Sequence, residues 1–159
     1  MGEGQLNKMQ LAGILVAENP ALDSKFAQDF SEMYILEAAA EGVNHDIAFS
    51  QMCVETDFLK FGGLVTAESN NFGGIGVINE QNRGVQFSSV LKGVRAHIQH
   101  LKGYATKEPL VQTRVDPRYY NIFHGSAPSI YDLSGLWSTN VTYGENLRNV
   151  TRETRLAQR

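Results

Sequence analysis

The chain has 159 residues and a mass of 17.6 kDa, which is the size of one domain with its own buried core. Its 14 basic and 17 acidic residues leave a net charge of −3, so the composition provides no basic stripe and we expect no nucleic-acid partner. A single cysteine excludes an internal disulfide and does not report the redox compartment.

The first apolar run, residues 11–17, is too short to span a bilayer and lacks a basic leader. It predicts an amphipathic helix that ends at Asn19-Pro20 rather than a signal peptide. We assign residues 1–18 to this helix, as part of the domain or packed on it, residues 19–155 to the domain, and residues 156–159 to a loose tail. Residues 1–4 and 152–159 have the composition of loose termini.

A long core helix is predicted from Asp23-Ser24 to Gly42, and a second helix from about Asp46. The second helix places Ala48, Met52, Glu55 and Leu59 on one apolar face. A carboxyl group moved toward low dielectric is harder to ionise, so the pKa of Glu55 should rise and the group could donate a proton near neutral pH. The alternative is ordinary, since most helical glutamates are solvated or paired with a cation.

The remaining segments predict a mainly helical fold with one small hairpin. A turn with Asn70-Asn71 and four glycines could bring backbone close to a ligand, or could be a plain surface turn (Gly62, Gly63, Gly73, Gly74). Residues 73–87 predict a β-hairpin with a polar tip, and a helix follows from Ser88 or Ser89 to about residue 104. Residues 107–129 are rich in loop signals, and short and final helices are predicted near 129–136 and 143–154.

Several blocks in this order resemble the glucosaminidase domain of glycoside hydrolase family 73: residues 51–56, 70–76, 93–101, 115–119 and 136–138 before Tyr143-Gly144. The resemblance spans roughly residues 19–150. It implies a mainly α (α+β) fold, a lysozyme-like helical domain with a small β-hairpin wing. It also implies a bacterial enzyme that cuts the β-1,4 bond after N-acetylglucosamine in peptidoglycan.

The resemblance also suggests which groups do the chemistry, with Glu55 as the general acid. Glycoside cleavage usually needs a second carboxylate or a substrate acetamido oxygen, and the family's hairpin wall makes Glu80 our candidate, with Glu68 in reserve. A solvated turn glutamate is an equally good interpretation of Glu80. Sequence spacing cannot separate inversion from retention or substrate assistance. Tyr143 matches a cleft tyrosine that lies near the acetamido group.

We assign substrate contacts to the glycine turn and to one aromatic residue: Asn70, Asn71, Phe72, Gly73 and Trp137. For Trp137 a core position is the favoured alternative, because a lone tryptophan in a helical domain is usually buried. Asp116 is expected to cap a turn and pair with Arg118. We expect no metal and no cofactor.

The sequence also allows a cysteine peptidase, a metal site, a lytic transglycosylase or a non-catalytic module. Cys53 could form a peptidase dyad with one of the four histidines (His45, His97, His100, His124), but a cysteine well inside a helix behaves as a small apolar residue. His97 and His100 could share a metal, although a solvated helix face is the better interpretation. A lytic transglycosylase would need only Glu55, and a cell-wall-binding or assembly module would need no acid.

The expected partner is the peptidoglycan glycan strand, and we expect no membrane span and a monomer. The family acts outside the cytoplasm, which suggests secretion to the cell wall or periplasm, from a trimmed chain, a module of a larger exported protein, or a phage-type enzyme. Autolysis, cell separation, appendage assembly and phage attack all remain possible roles.

Overall fold

The computed structural model describes the backbone of residues 1–157 and the side chains of residues 1–152. Five α-helices dominate this part of the chain: α1 Lys8–Glu18, α2 Ser24–Glu41, α3 His45–Thr56, α4 Val90–Ala105 and α5 Tyr143–Ala157. A two-stranded antiparallel sheet pairs β1 (Val77–Asn79) with β2 (Asn82–Arg83), and short 3₁₀ helices occupy Ala67–Ser69, Tyr119–Asn121 and Ile130–Leu133. The mainly α, lysozyme-like fold with a hairpin wing is confirmed.

Side-chain caps explain where the helices begin. The Asp23 carboxylate accepts a hydrogen bond from the Phe26 amide, and the Ser89 hydroxyl accepts one from Lys92. Gly42 ends α2 in the left-handed conformation, with φ +69°. These predicted boundaries are confirmed, whereas α3 starts at His45 because Asn44 is its cap.

The helices share one hydrophobic core. Leu11 and Leu15 of α1 lie in the same cluster as Phe49 and Met52 of α3 and Leu101 of α4. Helix α2 packs against α1, α3 and α4, and α3 packs against α5. Because α3 and α5 are in contact, their side chains can meet between the two helices. No helix within residues 1–157 is long and apolar enough to cross a membrane.

The structure departs from prediction at three element ends. Helix α3 stops at Thr56, so Leu59 lies beyond it in a left-handed turn, where residues 57–59 all have positive φ. Leu59 is still buried, because the turn folds it back onto the core. Helix α5 continues to Ala157, into the predicted tail, while residues 158 and 159 lie outside the described residues. The backbone of Gln5 and Leu6 is bonded to Asp46, so the N-terminal segment lies against the start of α3.

Candidate active site

Glu55 is held in the last turn of α3. The Thr56 hydroxyl donates to the Met52 carbonyl oxygen (2.7 Å) and accepts from the Leu59 amide (3.0 Å), which ties the helix end to the left-handed turn after it. The α-helix therefore ends at Thr56, one residue after Glu55, and the Glu55 side chain is mostly buried. Its backbone sits on a rigid element, as a group that must be held in one geometry requires.

The closest hydrogen-bond donor described for the Glu55 carboxyl group is neutral. The hydroxyl of Tyr143, the first residue of α5, donates to Glu55 Oε1 at 2.8 Å. Tyr143 is itself 2% exposed, so the bond forms in a dry environment. Among residues 1–152 no ion pair involves Glu55. The carboxyl group is thus oriented without being neutralised by a cation.

These surroundings raise the pKa of Glu55 above its ordinary value. Burial is the largest cause, and hydrogen bonding from Tyr143 and from the nearby Trp137 indole offsets part of the rise. The direction predicted from the apolar face of the helix is confirmed. A carboxyl group of this kind keeps its proton to higher pH than a solvated glutamate, which is the property a general acid needs.

The second carboxyl oxygen of Glu55 faces a glycine. A Cβ atom at Gly74 would lie only 2.7 Å from Glu55 Oε2, and Gly74 has φ +65°, a conformation that side chains disfavour. Glycine therefore keeps the space beside Oε2 free. Since Oε1 is occupied by Tyr143, Oε2 is the oxygen left to exchange a proton with a ligand.

Asn70 and Asn71 shape this turn through their own hydrogen bonds. Asn71 is fully buried, and its amide group both donates to the Ile75 carbonyl oxygen (2.9 Å) and accepts from the Ile75 amide (2.8 Å). Asn70, at φ +51°, donates to the Phe87 carbonyl oxygen, and its own carbonyl lies against Gly93 of α4, where any Cβ would collide. Substrate contact by these two side chains stays a prediction, one that their internal bonding does not favour.

Phe72 and Gly73 continue the turn in different environments. Phe72 is buried, with its ring 4.9 Å from that of Phe30, so its side chain belongs to the core. The Gly73 carbonyl oxygen accepts a hydrogen bond from the Trp137 indole N–H at 3.1 Å. A Cβ at Gly73 would lie 2.8 Å from the His97 ring. Contact of either residue with substrate remains a prediction.

Trp137 combines both interpretations made from sequence. Its ring packs on His97, His100 and Tyr104, with centroid distances of 5.6, 4.9 and 5.4 Å. It is nevertheless only partly buried, and it holds the Gly73 backbone beside Glu55. Trp137 is therefore a structural neighbour of Glu55, and its contact with substrate stays a prediction.

Glu80 and Glu68 lie apart from this cluster in the described contacts. Glu80 occupies the exposed turn between β1 and β2, where its backbone carbonyl oxygen accepts from Arg83 Nε at 3.3 Å. Glu68 is exposed in the first 3₁₀ helix. Neither carboxylate is bonded to Glu55, so the identity of the second catalytic group stays a prediction.

The interpretation of His97 and His100 as part of a solvated helix face was wrong. His97 is fully buried rather than solvated, because α4 is covered by α2 and α3 on one side and by Trp137 on another. His100 is largely buried, and its Nδ1 lies 2.7 Å from Asp116 Oδ2. No side-chain pair between Asp116 and Arg118 is found among the described contacts. Asp116 does cap its turn, accepting from the Arg118 amide. No three potential ligands within the described residues could hold a metal.

The peptidase interpretation has no support in the geometry. Cys53 is fully buried, and burial raises the pKa of its thiol well above the ordinary value. The hydrogen bonds described for the four histidines go to other groups. A protonated, inaccessible thiol is a poor nucleophile.

The sequence did not indicate that three buried polar residues connect to Tyr143, the hydrogen-bond partner of Glu55: Tyr34, Gln51 and His97. Gln51 Nε2 lies 3.4 Å from the Tyr143 hydroxyl oxygen, and its Oε1 lies 3.1 Å from His97 Nε2. The spacing of His97 from Val94 and Leu101 put it on the apolar face of α4, which was the one available signal.

The domain is helical with a small hairpin, and it holds a largely buried carboxyl group beside a glycine turn, with a neutral hydrogen-bond partner. This combination is typical of lysozyme-like glycosidases. The chain belongs to the glucosaminidase family, described as mannosyl-glycoprotein endo-beta-N-acetylglucosaminidase, whose family model matches residues 31–156. The resemblance to this family of glycoside hydrolases is therefore confirmed.

One curated relative is similar to most of the chain. An uncharacterized protein of Borreliella burgdorferi is 45% identical over 135 residues, which cover 85% of this chain. The matched region spans 66% of that relative, so the relative has further sequence that this chain does not match. No solved structure matches the chain significantly.

Proposed function

We propose that this chain hydrolyses the β-1,4 bond between N-acetylglucosamine and N-acetylmuramic acid in peptidoglycan, with Glu55 as the general acid. The observation that carries the proposal is the Glu55 carboxyl group, buried beside Gly74 and bonded through Oε1 to the neutral Tyr143 hydroxyl. Family membership supports the glycosidase class. Because peptidoglycan lies outside the cytoplasm, we place the activity in the cell wall or periplasm.

In the proposed reaction Glu55 transfers its proton from Oε2 to the glycosidic oxygen as the bond from that oxygen to the anomeric carbon breaks. The leaving sugar departs as an alcohol. The positive charge at the anomeric carbon is quenched in one of two ways. Water activated by Glu80 adds directly, or the substrate acetamido oxygen closes a ring that water then opens. Glu55, now ionised, can recover a proton from the attacking water in the second route.

The primary test replaces Glu55 by Gln and measures the release of reducing ends from purified peptidoglycan. General acid catalysis contributes about 10²- to 10⁴-fold, so we expect a loss of that size with binding in a cosedimentation assay unchanged. Glu32→Gln, an exposed glutamate in a surface pair with Lys8, is the matched control and should keep full activity. Equal activity of wild type and Glu55→Gln, or no activity in either, would contradict the proposal and favour a binding module.

A lytic transglycosylase is the second candidate, because no second carboxylate contacts Glu55 among the described residues. Mass spectrometry of the products separates the two reactions. A glucosaminidase leaves a reducing N-acetylglucosamine end, whereas a transglycosylase leaves a 1,6-anhydro end on muramic acid.

The role of Glu80 is tested in the same assay. If Glu80 activates water, Glu80→Gln lowers the rate by about 10²-fold or more, while Glu68→Gln leaves it unchanged. If the acetamido group attacks, both variants keep wild-type rates. A large loss in Glu68→Gln alone would assign the second role to the reserve candidate.

A further inference from the structure

A chain of hydrogen bonds continues from the acid into the centre of the helical core. Glu55 Oε1 accepts from Tyr143, whose oxygen lies 3.4 Å from Gln51 Nε2. Gln51 Oε1 lies 3.1 Å from His97 Nε2, and His97 Nδ1 lies 2.8 Å from the Tyr34 hydroxyl. Tyr34, Gln51 and His97 are all fully buried. The chain therefore joins α2, α3, α4 and α5 through polar groups that have no access to solvent.

The direction of every bond follows from the carboxylate at its end. Whether Glu55 is ionised or carries its proton on Oε2, its Oε1 can only accept, so Tyr143 must donate to it, and the Tyr143 oxygen must then accept from the Gln51 NH₂ group. This leaves Gln51 Oε1 facing His97, which must carry its proton on Nε2. His97 Nδ1 is then an acceptor and takes the hydrogen bond from Tyr34. In each of the four hydrogen bonds, the donor is the group nearer to Tyr34 along the chain.

The protonation state of His97 agrees with this order. Burial, with a smaller contribution from neighbouring His100, lowers its pKa to about 3. The imidazole is therefore neutral and carries one proton. Reversing the chain would require the Gln51 amide to turn over and the His97 proton to move to Nδ1 at the same time.

We propose that Gln51, His97 and Tyr34 are positioning residues that hold the Tyr143 hydroxyl as a donor to Glu55 Oε1, and so keep the proton of Glu55 on Oε2 beside Gly74. This inference rests on the proposed role of Glu55. Successive hydrogen bonds polarise one another, so each link also strengthens the bond that reaches the carboxylate. The proton that the reaction transfers is thereby kept on the one oxygen that has space beside it.

The groups that face Glu55 are few. Tyr143 faces it from α5, and Trp137 and the backbone of Gly74 face it from the loops. The hydrogen-bonded pair of His100, on α4, and Asp116 contacts the Trp137 ring through His100 and makes no described bond to Glu55. Loss of a hydrogen bond donated to the carboxylate should consequently raise the pKa of Glu55, because no cation compensates.

The test measures the pKa of Glu55 by carbon NMR of glutamate labelled at the side-chain carboxyl, with the signal assigned through Glu55→Gln. Gln51→Met breaks the chain at its centre with little change of volume. Cooperative strengthening is about 10–30% per bond, so the titration of Glu55 should move up by roughly a few tenths of a pH unit. Tyr143→Phe removes the final donor and should move it up by about one pH unit.

Gln99→Met is the matched control. Gln99 is equally buried, lies on α4 two residues from His97, and bonds the backbone of residues 113–116 instead of the chain. It should lose thermal stability as Gln51→Met does, yet leave the titration of Glu55 where the wild type has it. Tyr34→Phe keeps the ring packing and removes the first donor, so it replaces Gln51→Met if that variant does not fold. We expect a smaller upward shift from it.

Kinetics supply an independent readout. The acid works in its protonated form, so activity falls as pH rises through the pKa of Glu55. In Gln51→Met we expect kcat to fall roughly tenfold through the misplaced donor, with KM little changed and the alkaline limb moved to higher pH. A merely structural role would lower the melting temperature without moving that limb.

Nitrogen NMR of the His97 ring tests the direction of the chain. We expect a neutral ring with the proton on Nε2 from pH 7 down to about pH 5. A proton on Nδ1, a charged ring, or an unshifted Glu55 titration in Gln51→Met would overturn the proposal. If these spectra are as expected but the wild type cleaves no glycan, the hydrogen-bond chain stands and the proposed function fails.

Discussion

Glu41 and Glu55 are both glutamates in the last turn of a helix, yet their surroundings shift their pKa values in opposite directions. The Glu41 carboxylate binds the Lys102 ammonium at 2.9 Å and accepts hydrogen bonds from the backbone amides of Val111 and Gln112. The Glu55 carboxyl group is bonded to a neutral phenol. The two sites therefore differ in the charge of their partners.

The pKa values follow the partners. Burial alone would raise the pKa of Glu41, but the two backbone donors and Lys102 outweigh it and hold that pKa below its ordinary value. At Glu55 burial prevails over the bonds from Tyr143 and Trp137, and the pKa is raised. The balance between burial and the donors directed at a carboxyl group, backbone amides as well as a cation, therefore decides whether its pKa is lowered or raised.

Removing the charge of Glu41 should give the largest effect on stability. Glu41→Gln leaves the Lys102 ammonium, 5% exposed, without a counter-charge, and breaking a buried pair in this way costs about 3–5 kcal/mol. Urea denaturation at pH 7 measures the loss. The double variant Glu41→Gln/Lys102→Met should recover part of it. A loss below about 1 kcal/mol in Glu41→Gln would show that the pair is solvated in solution.

As pH falls, the contributions of His97 and of Glu41 to stability should be lost over different pH ranges. The pKa of His97 is about 3 in the folded protein and near 6.5 when unfolded, so its contribution is fully present above pH 6.5 and is lost as pH falls toward 3. The stability lost is about 1.4 kcal/mol per pH unit within that window. Glu41, with a depressed pKa, begins to lose its contribution only below its unfolded value of about 4.3.

Urea midpoints of the wild type and of His97→Gln between pH 7 and pH 5 check this separation. The variant is expected to be less stable at pH 7 but to have the flatter dependence on pH. Parallel curves would mean that His97 is charged, or solvated, in the folded protein.

Two glycines allow Glu41 and Glu55 to be compared also by the space beside them. Gly74, beside Glu55, and Gly42, directly after Glu41, have left-handed φ values of +65° and +69°. A Cβ at Gly74 would meet Glu55 Oε2 at 2.7 Å, whereas one at Gly42 would meet nothing within 4 Å. Both alanine variants should therefore lose about 1–2 kcal/mol from backbone strain.

Activity should distinguish the same two variants. Gly74→Ala is expected to lose about 10²-fold in kcat, because it displaces the acid from its geometry, while Gly42→Ala keeps the wild-type rate. Reducing-end release at fixed folded fraction is the measurement. Equal rates in both would mean that the space beside Oε2 is not where the substrate binds.

The contrast between Glu41 and Glu55 could be predicted only in part from the sequence. Local signals sufficed for the helices, since the caps at Asp23 and Ser89 lie three residues from the amides they bind. They also sufficed for the apolar face of Glu55. Local patterns could not predict the hydrogen-bond partners of the two carboxyl groups, because Lys102 is 61 positions from Glu41 and Tyr143 is 88 from Glu55.

The buried hydrogen-bond chain from Tyr34 to Glu55 could not be predicted from the sequence for the same reason. His97 bonds Gln51 and Tyr34 across 46 and 63 positions, and no local pattern encodes a contact of that separation. The family resemblance supplied Tyr143, because a motif carries spatial information that periodicity lacks. It supplied nothing for Tyr34, whose only local role is that of a core residue on α2.

The smallest effect expected is a gain of stability on removing the acid itself. Because the pKa of Glu55 is raised by folding, its ionised form opposes folding, and the penalty grows as pH rises through the folded pKa. Glu55→Gln keeps an oxygen for the Tyr143 hydrogen bond and abolishes the charge. Its melting temperature at pH 7 should exceed that of the wild type by a few degrees, since about 1 kcal/mol corresponds to roughly 2–4 °C in chains of this size or somewhat larger. Below about pH 4 both forms are neutral, and the difference should vanish. A variant that melts below the wild type at pH 7 would place Glu55 with Glu41, as a carboxylate whose negative charge the fold requires.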